Sequence, residues 1–214
     1  MVRKDRMTSR EEWLAKRTSY IGGSDASSIL GLNPYKTNIA LWKEKCGLKE
    51  PKDISGEPVV KYGVACEPLI RELFKVDHPD MRVEYEEWNI FLNTAYPWAH
   101  ASLDGWMFDE RGRFGVLEIK TTHIQGTNIL KWKDRIPDNY YVQLLHYLMV
   151  TEAEFAILRA LLKYEGNFKR SEIRDYKVER KDVIADIEYL QREEEKFMEH
   201  IRNRTQPNLI LPEI

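Results

Sequence analysis

Asp104, Glu118 and Lys120 are the residues whose types and spacing best support chemistry. Glu118-Ile119-Lys120 lies in a β-branched, apolar run that reads as a strand over 114–121. Side chains alternate along a strand, so the carboxylate and the ammonium share one face while Ile119 takes the other. Val116 and Leu117 predict that part of this strand is buried, and an unpaired buried carboxylate costs several kcal/mol unless something compensates it. Asp104, in Ala101-Ser102-Leu103-Asp104-Gly105, can fall opposite Glu118 across a hairpin. Two carboxylates so placed can share a divalent cation, and hard oxygen ligands suit Mg²⁺ or Mn²⁺. A third acid, Glu67, can complete the set from a helix. An ion pair between Glu118 and Lys120 on a solvated hairpin satisfies the same spacing and is worth only a few tenths of a kcal/mol. The upstream Asp, the apolar strand and a following helix are what metal-dependent phosphodiester cleavage requires in addition.

The elements that must position these groups follow from the pattern of apolar residues and breakers. Ser9-Arg10-Glu11-Glu12 has capping-box spacing and predicts a helix that carries Trp13 and Leu14 inward, with Arg17 near its end. Gly22-Gly23 is a turn into a short helix closed by Gly31, and Asn33-Pro34-Tyr35 is another turn. A helix is predicted over 38–46, ended by Gly47. A loop-like stretch over 57–63 precedes a helix over 66–76, with Leu69, Ile70, Leu73 and Phe74 at helical spacing and Glu67 in its first turn. Aromatic and β-branched residues over 81–91 and 98–108, with a turn at Asp109-Glu110-Arg111-Gly112, predict a strand meander running into the 114–121 strand. A helix over 138–150 presents Tyr141, Leu144, Leu145 and Leu148. A hairpin over 154–164 and 168–178 turns at Glu165-Gly166-Asn167, and a long charged helix runs over 180–203. This order predicts an α/β or α+β fold with a central mixed β-sheet flanked by helices.

With 214 residues the chain is expected to form one domain, and 43% hydrophobic with 32% charged residues excludes a disordered or low-complexity chain. The longest uncharged stretch, 88–103, contains Asn, Thr, Pro and His and does not suit a bilayer. The charged N-terminus and two cysteines without metal spacing, Cys46 and Cys66, read as an intracellular, reduced protein. A net charge of −2 conceals asymmetry: six basic against three acidic residues over 1–20, and eight acidic against four basic over 179–200. A near-neutral total can therefore hide a basic groove, although such runs are commonly solvated helix faces.

The segment Tyr20-Ile21-Gly22-Gly23-Ser24-Asp25-Ala26-Ser27-Ser28-Ile29-Leu30-Gly31-Leu32-Asn33-Pro34-Tyr35-Lys36-Thr37, with Leu41-Trp42-Lys43-Glu44-Lys45 after it, resembles the opening of the YqaJ viral recombinase family. That family is phage lambda exonuclease-like and belongs to the PD-(D/E)XK nuclease superfamily. Gly63 and Glu67, Asp104, Leu117-Glu118-Ile119-Lys120-Thr121-Thr122, then Tyr140, Gln143, His146 and Tyr147 continue the pattern in order, so the resemblance spans 17–150. The motifs are specific as a set and weak singly, and Leu103 departs from the Pro often found before the first acid.

The resemblance implies a restriction-endonuclease-like core over about 9–178 within a single nuclease domain, 1–214. It implies a Mg²⁺-dependent 5′-to-3′ exonuclease on linear double-stranded DNA, with Mn²⁺ able to substitute and two ions per site. The product would be a 3′ single-stranded tail for recombination by strand annealing. A homotrimeric ring, a single-strand annealing partner and a phage or prophage origin in the bacterial cytoplasm belong to the same expectation. The alternatives are a related endonuclease or repair nuclease, or a DNA-binding scaffold with a vestigial metal site.

Carried onto this sequence, Asp104 and Glu118 are expected as direct metal ligands, the Ile119 carbonyl as a backbone ligand, and Glu67 as a ligand directly or through water. Lys120 would orient or deprotonate the attacking water, and a neighbouring cation should lower its pKa. Gln143 is carried over as an active-site residue. His146 reads instead as a hydrogen-bonded histidine at a helix–sheet contact, since no second His or Cys lies at ligand spacing. Arg17 and Ser24 are candidates for holding a terminal 5′ phosphate. Lys131, Lys133 and Arg135 are candidate contacts to the duplex backbone. Among the six tryptophans, most read as core and only Trp132 as a DNA contact.

Overall fold

The apolar run containing Glu118 forms the longest strand, β6 (Phe114–Ile124), and the rest of the molecule is arranged about it. The computed structural model describes residues 1–126, 128–164 and 170–211. β6 pairs antiparallel with β5 (Gly105–Phe108) and parallel with β7 (Phe155–Tyr164), which makes the main sheet mixed. Its order is β2-β5-β6-β7-β8, with β2 at Arg82–Glu84 and β8 at Arg170–Glu179. A parallel pair needs a crossover rather than a hairpin, and α5 (Asn128–Lys131) and α6 (Asp138–Thr151) supply it.

Each face of this sheet carries a helix. α4 (Pro58–Asp77) lays Ile70 and Phe74 on Met107, Leu117, Ile119, Phe155 and Ile157. α6 lies on the other face, and every residue over 142–151 is buried, because α2 (Gly23–Ile29), α7 (Ile184–Arg202) and a second sheet pack around it. That second sheet has the order β1-β3-β4, formed by Val2–Arg6, Asn89–Asn93 and His100–Ala101. α1 (Arg10–Thr18) and α3 (Asn38–Lys45) complete the described helices, with a short 3₁₀ turn at Arg180–Asp182 before α7.

Several expectations are corrected. The 81–108 region is not one meander: β3 and β4 leave the main sheet and pair with β1, a charged edge strand that carries no alternating signal. The chain changes sheets at Trp88, whose φ of +59° is rare for a bulky side chain, so this residue lies in a turn rather than a strand. α4 starts eight residues before the predicted helix, with Pro58 in its first turn, where a missing N–H costs nothing. Glu67 therefore sits mid-helix, and Leu69 and Leu73 are exposed. Gly63 is tolerated inside the helix because Thr121 Oγ1 lies 3.3 Å from where its Cβ would stand. Ser9 caps α1 through the Glu12 N–H at 3.1 Å, yet α1 buries no residue completely, and Leu14 is exposed. β7 and β8 form the expected hairpin, while its turn at Glu165-Gly166-Asn167 lies outside the described residues. Among the described residues no helix is long and apolar enough to cross a membrane.

Candidate active site

The β5–β6 register, with Gly105 opposite Leu117, brings Asp104 beside Glu118 one step further on. Asp104 Oδ2 accepts the Ile119 N–H at 2.8 Å. The backbone presenting Asp104 is clamped from both sides. The buried Asn89 amide accepts from the Leu103 N–H and donates to the Leu103 carbonyl, each at 2.9 Å, while Arg71 donates to the Asp104 carbonyl.

Glu118 is 2% exposed. Its Oε1 accepts from Lys120 Nζ and from Gln143 Nε2, the latter at 2.8 Å. Its Oε2 is buried with no hydrogen-bond partner. Glu67, half-buried on α4, accepts from Arg71 at 3.1 Å, and the Arg71 guanidinium is stacked 3.5 Å from the Tyr85 ring centroid. Burial, then the charge of Asp104, push Glu67 up to about 7 and Glu118 up to about 8.

Lys120 lies between the acids, donating to Glu118. Burial favours its neutral form, but the charges of Glu118 and Asp104 outweigh it and hold the ammonium above the ordinary lysine range. Without a bound cation it is a counter-charge to the acids.

Among the described residues no three His, Cys, Asp or Glu side chains already stand as a ligand cluster. Asp104, Glu118 and Glu67 are each engaged by protein donors instead. The donor chemistry nevertheless fits a hard divalent cation: the groups are carboxylate oxygens, two of them reluctant to ionise together, and the orphaned Oε2 lacks a positive partner.

The structure places Gln143 beside the acids, its Nε2 reaching both Glu118 and the Tyr147 hydroxyl at 2.8 Å. The Gly22-Gly23 turn explains itself here: a Cβ on Gly23 would stand 2.6 Å from the Tyr147 ring and 2.9 Å from Gln143 Cγ. His146 is fully buried, donating from Nδ1 to Glu194 at 2.7 Å and from Nε2 to the His100 carbonyl at 2.9 Å, a structural role as the sequence suggests.

Arg17 and Ser24 come together on a cavity of about 230 Å³, with Asp25, Lys36, Lys45 and His100. Lys45 is spent on Asp25 at 2.9 Å and Lys36 on Glu44 at 2.5 Å. Arg17 stacks 4.1 Å from the Trp13 ring centroid and has no acidic partner among the described residues. Lys131, Lys133 and Arg135 are exposed around the end of α5, Arg135 pairing with Asp138. Trp132 is corrected: it is 3% exposed, packed on Tyr140 and Tyr176, and belongs to the core. Asn89, Arg71 and Ser102, whose hydroxyl is buried without a partner, were not singled out from sequence, whereas Tyr147 stood in the motif with Gln143. Only Ser102, two residues before Asp104, offered a positional signal.

The mixed sheet, its flanking helices and this convergence of acids define a fold of the alkaline exonuclease type. The structure matches the alkaline exonuclease LHK-Exo from Laribacter hongkongensis with a TM-score of 0.67 at 18% identity, covering 91% of this chain and 94% of that one. It matches LHK-Exo in complex with dAMP with a TM-score of 0.64 at 17% identity, covering 90% and 95%. For a phage-related exonuclease from Haemophilus somnus 129PT the TM-score is 0.54 at 13% identity, covering 86% and 96%. The chain belongs to the YqaJ-like viral recombinase domain family, which matches residues 12–154. The uncharacterized protein YqaJ of Bacillus subtilis (strain 168) is 33% identical over 189 residues, which cover 87% of this chain and 55% of YqaJ, so the chain spans about half the length of that relative.

Proposed function

We propose that this chain is a divalent-metal-dependent exonuclease that digests linear double-stranded DNA from 5′ ends and leaves 3′ single-stranded tails for recombination by strand annealing. The observation that carries the reading is the buried, unpartnered Oε2 of Glu118 beside Asp104, Glu67 and Lys120. Family membership and the alkaline exonuclease fold support it.

Asp104, Glu118, the Ile119 carbonyl and Glu67 would hold Mg²⁺, or Mn²⁺ in its stead, at two ions per site. Bound metal would supply positive charge against the scissile phosphate and acidity to the attacking water. Asp104 is aimed by the Ile119 N–H, and Gln143 fixes Oε1 of Glu118 so that Oε2 remains available. Lys120, held as an ammonium, donates to the attacking water and to charge developing on the phosphate. Arg17 and Ser24 receive the terminal 5′ phosphate, while Lys131, Lys133 and Arg135 follow the duplex backbone without reading sequence. The same reading takes 1–214 as one nuclease domain, working as a homotrimeric ring with an annealing protein in a bacterial cytoplasm, encoded by a phage or prophage.

An end-labelled linear duplex and a closed circle, each incubated with Mg²⁺ and with EDTA, test it. Metal-dependent release of 5′ nucleotides from the linear duplex alone is expected. No metal-dependent product removes catalysis, and a cut circle replaces exonuclease by endonuclease.

A further inference from the structure

Arg71 and Tyr85 reach the acids from the α4 side of the sheet. Arg71 is 6% exposed, and its guanidinium donates to Glu67 at 3.1 Å and to the Asp104 carbonyl. The central carbon of that guanidinium lies 3.5 Å over the centroid of the Tyr85 ring, a stacked arrangement. Tyr85 follows β2 directly and is held from both sides: Glu84 pairs with Trp106, and Asn89 Nδ2 donates to the Glu86 carbonyl at 2.8 Å. One ring face is thus taken by a buried cation, yet the side chain is 42% exposed, so its accessible surface belongs to the opposite face and the rim. Beside three carboxylates, what this ring adds is an uncharged π surface.

The cavity with Arg17 lies on the other side of the acids. Gly22 and Ser24 line it, and Gly23 between them packs against Tyr147 and Gln143 of α6, which covers the sheet face opposite α4. A strand whose 5′ end sits in that cavity, and whose next phosphodiester meets Asp104 and Glu118, continues toward α4. The base it brings there is the one just 3′ of the cut. Turning the terminal nucleotide toward Arg17 separates it from that base and uncovers one face of it.

We propose that Tyr85 covers this face, as a stacking platform for the base on the 3′ side of the scissile phosphate, with Arg71 fixing the ring from beneath. The inference rests on the reading above, in which these acids cut a strand whose end is held by Arg17. Every base has a π face, so such a platform steadies the strand without reading its sequence. Arg71 is a positioning residue here, and Tyr85 is the residue that touches DNA.

The test measures the affinity of the full chain, in EDTA where no strand is cut, for a 5′-phosphorylated duplex whose first two 5′ nucleotides overhang. The second nucleotide is either intact or abasic, and because it is unpaired no base pair is lost with the base. Removing the base is expected to weaken binding about tenfold in the unmodified chain, the size of one base–aromatic stack. Tyr85→Phe, which keeps the ring, should show the same tenfold difference. Tyr85→Leu, which still covers Arg71 but has no π face, should bind intact and abasic ends alike. Equal affinity of the unmodified chain for the two ends overturns the inference, as does a difference that survives in Tyr85→Leu or is lost in Tyr85→Phe. The comparison within the unmodified chain stands even if a variant does not fold. Failure of the underlying reading looks different: a chain that binds such ends and cuts them with Mg²⁺ yet ignores the second base overturns this inference alone, whereas one that binds no end and cuts nothing overturns both.

Discussion

Lys120 lies where two acids need a counter-charge, and the local balance sets its part in any reaction. Burial alone would discharge it, but without a bound cation Glu118 and Asp104 keep the proton on. Lys120→Ala is expected to leave DNA binding intact and lower the cleavage rate about a hundredfold or more. Near-normal turnover would remove Lys120 from the mechanism. Arg17 differs, for its guanidinium has a ring beneath it and no acid beside it. Arg17→Ala should slow digestion of 5′-phosphorylated ends much more than 5′-hydroxyl ends, measured side by side, and an equal loss on both would place the phosphate elsewhere. The types and spacing of Asp104, Glu118, Lys120 and Gln143 were legible in the sequence because a strand's alternation and a short hairpin are local geometry. The charge balance at Lys120 is set by which groups sit near Nζ, and the acids that hold its proton on come from β6 and from the residue before β5. Leu103 shows the same limit: its N–H is used by Asn89, a bond that a proline there would lack.

At the scale of elements, α6 does most to hold the site in register, and α7 holds α6. His146 on α6 donates from both ring nitrogens, to Glu194 and to the His100 carbonyl, so the ring is an imidazolium inside the protein. Burial opposes that charge and Glu194 more than restores it, leaving the pKa above the ordinary histidine value. A group whose folded pKa is raised stabilises fully below its unfolded value, about 6.5, and loses that contribution as pH climbs through the folded value. Glu194→Gln should therefore lower the thermal midpoint most below pH about 6.5, and the gap to the unmodified chain should narrow as pH rises further. A gap constant across that range would mean His146 is neutral throughout. The acidic composition of α7 reads as a solvated face in the sequence, and most of it is. Its one fully buried acid, Glu194, could not be told from Glu193 or Glu195 without knowing which side meets α6. Local signals placed α2, α3, α6 and the β7–β8 hairpin closely. α4 was shortened because 57–63, with Pro58 and Gly63, reads as a loop, although a first-turn proline and packing against β6 make that stretch compatible with helix.

For the molecule as a whole, the order of helices and strands gave the mixed sheet, but not its separation into two sheets. That separation depends on β1 reaching β3, with Val2 opposite Asn93, a pairing between distant segments that leaves no mark in either one. The joined fold then delivers Asp104 from the end of β5, Glu118 from β6 and Glu67 from α4 to one place. Bringing these acids together costs stability, as the raised pKa values of Glu67 and Glu118 record, with Lys120 and Arg71 offsetting only part of it. A cation that binds the folded chain and not the unfolded one must stabilise it by mass action, about 2.7 kcal/mol at a hundredfold excess over its Kd. For a chain of this size that is a rise of about 5–10 °C in the thermal midpoint. Adding Mg²⁺ or Mn²⁺ without DNA should produce such a concentration-dependent rise, EDTA should reverse it, and Glu118→Gln should lose most of it. A midpoint indifferent to metal, or a shift as large in Glu118→Gln as in the unmodified chain, would mean that these acids bind no ion and that the relief of their repulsion comes from Lys120 and Arg71 alone.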